Sequence, residues 1–271
     1  MATQHPHKGP PHALHSVLEL RVFQELATLP LAWPLLMNTP KGDGHPVLLS
    51  PGFMGDEGSL FALKRFLKTR GYEVHTWGLG RNVGFQRRHA EALVQKIRHL
   101  HHQSGRTVSL VGWSLGGMFS LYGALHAPEC VRHLITLGSP VTVDPVHGSQ
   151  SPETVKRLYR LIAHPLGPSA HIMQPRVKRL RERELPNVPI SCLYSISDGV
   201  VPAQEATITG DPSHCENIRV YSSHIGLGFN AMVLAILADR LSQPEGDWKP
   251  FDPQGVNGML YRAATHAAVP I

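Results

Sequence analysis

Gly112-Trp113-Ser114-Leu115-Gly116 sets a serine between two glycines, and its flanks indicate what that serine could do. Ahead of it, Val108 to Val111 is a short apolar run of the kind that forms a buried strand. Behind it, Leu115 to His126 reads as a helix that is small and apolar where it would face a sheet. Strand, sharp turn and helix together lift a hydroxyl to the carboxyl end of the strand. The turn is cramped, and a Cβ two positions to either side of the serine would clash. Glycine at 112 and 116 removes those Cβ atoms, and Gly117 adds room for close helix–strand packing. The chemistry on offer is nucleophilic attack by Ser114. A serine hydroxyl is a weak nucleophile at neutral pH, so it needs a base within hydrogen-bond reach. The base in turn needs a group that fixes its tautomer.

Three further blocks accompany this one: Leu-Leu-Ser-Pro-Gly-Phe-Met-Gly from Leu48, Ser-Asp-Gly-Val-Val-Pro from Ser197, and Ser-Ser-His-Ile-Gly-Leu-Gly from Ser222. On these four blocks the chain resembles the serine esterases and lipases of the α/β-hydrolase superfamily, over about residues 46 to 242. Trp113 is a departure, standing where many lipases carry histidine. The resemblance implies an α/β fold with a mostly parallel central sheet, helices on both faces and a helical lid insertion. It divides the chain into an N-terminal segment with one helix (1–40) and a hydrolase domain (41–271), with the insertion at about 141–188.

The same resemblance implies a nucleophile, acid and base in the order Ser…Asp…His, each at a strand end. Ser114, Asp198 and His224 fit that order, with His224 as base and Asp198 holding its tautomer. Asp144 is the reserve acid, and Asp211, His214 and His266 are weaker competitors. The loop after the first strand is implied to supply one oxyanion donor, the N–H of Phe53 ahead of that of Met54. The N–H of Leu115, at the positive end of the elbow helix, would be the other. Met54, Trp113, Leu158 and Leu161 are the lid and substrate-pocket candidates. The implied reaction is hydrolysis of a small hydrophobic carboxylic ester through an acyl-enzyme. A thioesterase or an acyltransferase would use the same parts. A non-catalytic hydrolase-like ligand-binding protein is the rival from another class, and the intact set of three argues against it.

The elements that must position these groups are legible in part. Strands are expected at Pro46–Ser50, Tyr72–Trp77, Val108–Val111, Val131–Gly138, Ile190–Ile196 and Ile218–Ser222. Helices are expected at about Ser59–Thr69, up to His102 and over Gly228–Leu241. An amphipathic helix over Ser16–Leu29 is expected to end at Pro30 and Pro34. Within the insertion, Thr154–Ile162 places Val155, Leu158, Leu161 and Ile162 on one side, and Val177–Leu185 forms a second, charged helical piece. Gly78 to Gly84 is glycine-rich between a strand and a helix, but its spacing is one residue off the dinucleotide pattern. Arg81 and Asn82 are expected to hold that loop's geometry.

Composition closes off other classes. No run of eighteen apolar residues occurs, so no membrane span is expected. The chain as given lacks an apolar leader, and its expected location is the cytoplasm. Net charge is +6, without interleaved aromatics or a binding motif, so no nucleic-acid partner is expected. The basic insertion residues Lys156, Arg157, Arg160, Arg176, Lys178, Arg179, Arg181 and Arg183 read as a solvated face rather than as a contact for lipid or anionic surfaces. Cys130, Cys192 and Cys215 have no zinc spacing and read as buried thiols. His5, His7, His99, His101 and His102 read as solvated surface rather than metal ligands, and neither metal nor cofactor is expected.

Overall fold

A computed structural model of the chain describes residues 19–142, 149–163, 185–211, 213–252, 254 and 261. Six parallel strands form one sheet: β1 (Pro46–Ser50), β2 (Glu73–Thr76), β3 (Val108–Trp113), β4 (Val131–Leu137), β5 (Ile190–Ser195) and β6 (Cys215–Val220), in the order β2-β1-β3-β4-β5-β6. The central strands are buried on both faces, which is why they read as mostly apolar rather than alternating, with the polar Ser109, Arg132 and His133 gathered toward the amino ends of β3 and β4. Alternation instead decides which side chain serves which core. Leu48 and Leu110 join one cluster, while Val47, Leu49, Val111 and Trp113 join the other.

The helices are α1 (Val22–Leu36, entered by a 3₁₀ turn over Glu19–Arg21), α2 (Phe61–Thr69), α3 (Arg87–Ser104), α4 (Leu115–His126), α5 (Glu153–Ala163) and α6 (Ala231–Ser242). On one side of the sheet α3 turns Ala90, Leu93, Val94, Ile97 and Leu100 inward, and α4 fills the space between α3 and the strands. On the other side α2 contributes Leu63, Phe66 and Leu67, and α6 contributes Val233, Leu234 and Leu237. Asn230 caps α6, its side chain accepting the Met232 N–H at 2.9 Å.

Several boundaries differ from expectation; α6, for one, starts at Ala231, where Asn230 caps it, rather than at Gly228. Helix α1 does not stop at Pro30 but runs through Pro30 and Pro34 to Leu36. Each proline removes one backbone donor, a cost of about 3 kcal/mol in an isolated helix. Packing offsets it here: Leu36 is buried, Leu29 and Trp33 rest on the core, and the Trp33 ring meets Phe66 edge-on at 6.2 Å. Strand β6 begins at Cys215 rather than Ile218, drawn in by pairing of Cys215–Asn217 with Ile190–Cys192. The charged helical piece Val177–Leu185, up to residue 184, lies outside the described residues, as do Arg176, Lys178, Arg179, Arg181 and Arg183. Among the described residues, no helix is long and apolar enough to cross a membrane.

At the amino ends of the strands lies a polar cluster that the sequence did not announce. His45, just ahead of β1, is fully buried, with Nδ1 at 2.6 Å from Asp43 and Nε2 at 2.8 Å from Ser109 Oγ on β3. Asp43 also receives Arg106 at 2.6 Å and the buried Arg132 at 2.8 Å. The three cysteines are free and buried, and burial pushes the Cys192 thiol up to about 12. His99 and His102 are exposed, and His101 Nδ1 lies 3.0 Å from the Arg106 carbonyl.

Candidate active site

Parallel strands bring their carboxyl ends to one edge, so the loops that leave β1, β3, β5 and β6 meet there. Ser114 follows β3 directly and holds φ 53°, ψ −124°, a left-handed conformation that non-glycine residues rarely adopt. The surrounding glycines make it affordable. A Cβ on Gly112 would collide with the Gly117 backbone, and one on Gly116 with the Ser50 carbonyl. The elbow's backbone is satisfied, with the Ser114 N–H donating to Leu137 at 2.8 Å and the Ser114 carbonyl accepting from Gly117 at 2.9 Å.

Asp198 and His224 reach the same edge from the loops after β5 and β6. His224 Nε2 lies 2.9 Å from Ser114 Oγ, and His224 Nδ1 lies 2.7 Å from Asp198 Oδ2. The Asp198 carboxylate is 2% exposed and aimed from both sides: its other oxygen accepts the N–H groups of Val200 and Val201, each at 2.8 Å. That geometry leaves Nδ1 as donor to Asp198 and Nε2 free to accept the serine proton. Burial opposes charge on His224, but the charge and hydrogen bond of Asp198, with the charge of Glu19, outweigh it. The imidazole is held above its ordinary pKa. Trp113 Nε1 donates to the His224 carbonyl at 3.1 Å, so the residue before the serine also fixes the histidine's loop.

The other competitors are not part of this group. Asp211 closes a local turn by accepting the Ser213 N–H at 2.8 Å, and His214 is its neighbour. Asp144 and His266 lie outside the described residues.

The loop after β1 passes beside the serine, where a Cβ on Gly52 would stand 3.2 Å from Ser114 Cβ. Asn82, fully buried, shapes this loop: Nδ2 donates to the Pro51 carbonyl at 2.8 Å and the Asn82 carbonyl accepts the Met54 N–H at 2.7 Å. Arg81 is only an exposed partner of Asp56. With the Met54 N–H engaged, Phe53 is the donor candidate from this loop. Leu115 is the first residue of α4, where N–H groups have no acceptor inside the helix and the dipole is positive.

A cavity of about 350 Å³ opens on Ser114 and His224. Phe53, Met54, Trp113, Val155 and Tyr159 give it a largely apolar lining. Helix α5 does contribute, through Val155 of the expected apolar side together with Lys156 and Tyr159. Leu158 and Leu161 do not line the cavity; they are 49% and 74% exposed. At about 100° per residue Val155 and Tyr159 lie about 40° apart on one side, Leu158 flanks Val155 at about 60°, and Leu161 stands about 120° from Val155 and points away from the cavity. Tyr159 is fixed there by accepting the Phe85 N–H at 3.0 Å and by packing on Phe53 with ring centroids 5.0 Å apart. Lys156 and Arg160 both pair with Glu153 along the same helix. Among the described residues there is no cluster of metal-ligating side chains.

Residues 46–164 match the family model described as the alpha/beta hydrolase fold. No curated protein sequence matches the chain. Among solved structures, Aspergillus fumigatus lipase B is similar at 15% identity over 74% of this chain, with a TM-score of 0.54. That match spans 53% of the lipase chain, so this protein covers about half its length. The mature form of Bacillus licheniformis lipase BlEst2 is similar at 16% identity over 76% of this chain and 95% of its own, with a TM-score of 0.53. Its propeptide form is similar at 17% identity over 79% of this chain and 54% of its own, with a TM-score of 0.52. Identities this low speak to architecture alone. With a six-stranded parallel sheet, helices on both faces and a strained serine at the strand–helix turn after β3, the chain has the α/β-hydrolase fold.

Proposed function

We propose that this protein is a serine hydrolase that cleaves small hydrophobic carboxylic esters through an acyl-enzyme on Ser114. One observation carries the reading: the strained Ser114, the hydrogen-bonded His224–Asp198 pair and an apolar cavity meet at a single point. In the first half-reaction His224 Nε2 takes the Ser114 proton as Oγ bonds to the ester carbonyl carbon. Asp198 steadies the imidazolium that forms. The carbonyl oxygen becomes an oxyanion received by the N–H groups of Phe53 and Leu115. The carbon–oxygen bond to the alcohol then breaks, and the alcohol leaves with the proton held by His224. In the second half water attacks the acyl-enzyme, again losing its proton to His224, and the acid departs as Ser114 recovers its hydrogen.

The cavity volume, about 350 Å³, stands near the lower end for ligand pockets and favours short and medium acyl chains over long ones. The test is hydrolysis of p-nitrophenyl esters of increasing chain length by the wild type and by Ser114→Ala. Turnover that disappears in the variant supports the proposal. A wild type inactive on every ester, or turnover that survives in the variant, overturns it.

A further inference from the structure

The most unusual feature near the candidate site comes from the other end of the chain. The turn and first residues of α1 reach across to both loops that carry Asp198 and His224. Glu19 Oε1 accepts the N–H of Gly199 at 2.9 Å and the N–H of His224 at 2.9 Å, and its Oε2 lies 3.0 Å from the same His224 nitrogen. Gly199 follows the acid directly, so one carboxylate ties the backbone of the acid's loop to that of the base. Arg21 Nη2 makes the matching bonds from the other sign of charge, donating to the Ser197 carbonyl at 2.9 Å and the Ser222 carbonyl at 2.8 Å. Glu25 Oε1 accepts the Ser223 N–H at 2.9 Å. Three successive charged side chains thus satisfy loop backbone groups that no strand pairs.

We infer that Glu19 is a positioning residue for the base: its carboxylate clamps the His224 loop to the Asp198 loop and fixes the imidazole between Asp198 and Ser114. The inference rests on the proposed hydrolase reading. A carboxylate accepting two N–H groups holds each in a set direction, and loss of the acceptor lets the two loops separate independently. The charged groups facing His224 are Asp198 on its own side of the sheet, Glu19, Arg21 and Glu25 on the N-terminal segment, and Lys156 of α5 on the shared cavity. Among them Glu19 acts in the same sense as Asp198, favouring the imidazolium.

The test compares Glu19→Ala, Glu19→Gln and, as a control on the exposed side of the same turn, Leu20→Ala. A misplaced base costs about 10- to 100-fold, so Glu19→Ala should lose that much in kcat and in the rate of fluorophosphonate labelling, with KM unchanged. Glu19→Gln keeps an acceptor and should recover most of the loss, while the acid limb of its kcat/KM profile moves to lower pH because the negative charge is gone. Leu20→Ala should match the wild type. The inference is overturned by a Glu19→Ala variant with undiminished kcat, by a loss confined to KM, or by a glutamine variant that rescues nothing. If Glu19→Ala does not fold, the acid limb of Glu19→Gln decides, and an unmoved limb overturns the inference. A wild type that is itself unlabelled removes the hydrolase reading and the inference together. A labelled wild type with an equally labelled Glu19→Ala removes the inference alone.

Discussion

Among the described residues two Ser–His–Asp chains lie at opposite ends of β3. Near its amino end Ser109 meets His45 at 2.8 Å and His45 meets Asp43 at 2.6 Å. Just past its carboxyl end Ser114 meets His224 at 2.9 Å and His224 meets Asp198 at 2.7 Å. The hydrogen bonds are the same; the surroundings are not. Ser109 sits within β3, 1% exposed, beside a crevice of about 20 Å³ that has room for a single water. Burial, reinforced by the charges of Arg132 and Arg106, outweighs the bond to Asp43 and lowers the His45 pKa to about 4. At His224 the balance runs the other way. A hydrogen-bonded chain of the right residue types is therefore not yet a site. The strained turn, the helix N-terminus and the cavity distinguish the second from the first.

The comparison breaks most sharply at the serines. Ser114→Ala should lower kcat by about 10⁴- to 10⁶-fold with an unchanged fold, because the three groups act as a unit. Ser109→Ala should leave kcat untouched and cost about 1–3 kcal/mol in denaturant unfolding, since His45 Nε2 loses its hydrogen bond to Ser109 in a buried place. Equal effects on activity would erase the distinction.

The acids come next. Asp198→Asn should cost about 10⁴-fold in kcat through loss of the tautomer lock, less than the serine variant. Asp43→Asn should keep activity and lose stability, because Arg132 is buried and bonded to that carboxylate. A kcat loss in Asp43→Asn comparable to that in Asp198→Asn would contradict this account.

Acid then separates the pairs by sign. Because His224 is raised, kcat/KM should fall as pH drops through an apparent pKa above the ordinary 6.5. Its contribution to stability is present below 6.5 and is lost as pH rises through the folded value. His45, and with it His133 buried on β4, are lowered chiefly by burial, to about 4 and about 3, so their contribution is fully present above pH 6.5 and drains away as pH falls toward those values. Each is worth on the order of a few kcal/mol by linkage. Urea unfolding from pH 7 to 4 should show that decline, flattened in His45→Asn; a decline of unchanged steepness removes His45 as its source.

The smallest effects test the cavity. Leu161→Ser should change kcat/KM by less than about 2-fold at every chain length, as expected for an exposed position. Tyr159→Ala should lose most on medium-chain esters, because its ring forms part of the wall. A chain-length effect in Leu161→Ser would return that leucine to the pocket.

Much of the fold could be read because parallel strands buried on both faces are predominantly apolar, and Val47–Leu49 and the Leu134–Ile135 centre of β4 announce themselves. The residues of the serine turn were legible for a similar reason: only glycine fits at 112 and 116, so steric need is written as residue type. Cys215–Asn217 were not legible as strand, because Glu216 joins the sheet through its neighbours and through Arg240 at 3.0 Å, not through propensity. Leu158 and Leu161 were assigned to the cleft because amphipathicity marks an apolar side without saying which neighbour it meets. Glu19, Arg21 and Glu25 escaped altogether. Charges on a helical pattern read as a solvated face, and their partners are far away in sequence.

The central claim, that Ser114 alone is the nucleophile, is tested most directly by covalent mapping. The protein is treated with a fluorophosphonate at neutral pH, and the modified peptide is identified by mass. One label per chain on the peptide containing Ser114, absent after Ser114→Ala and unaffected by Ser109→Ala, is the expected result. Label on another residue, or none on the folded wild type, would contradict it.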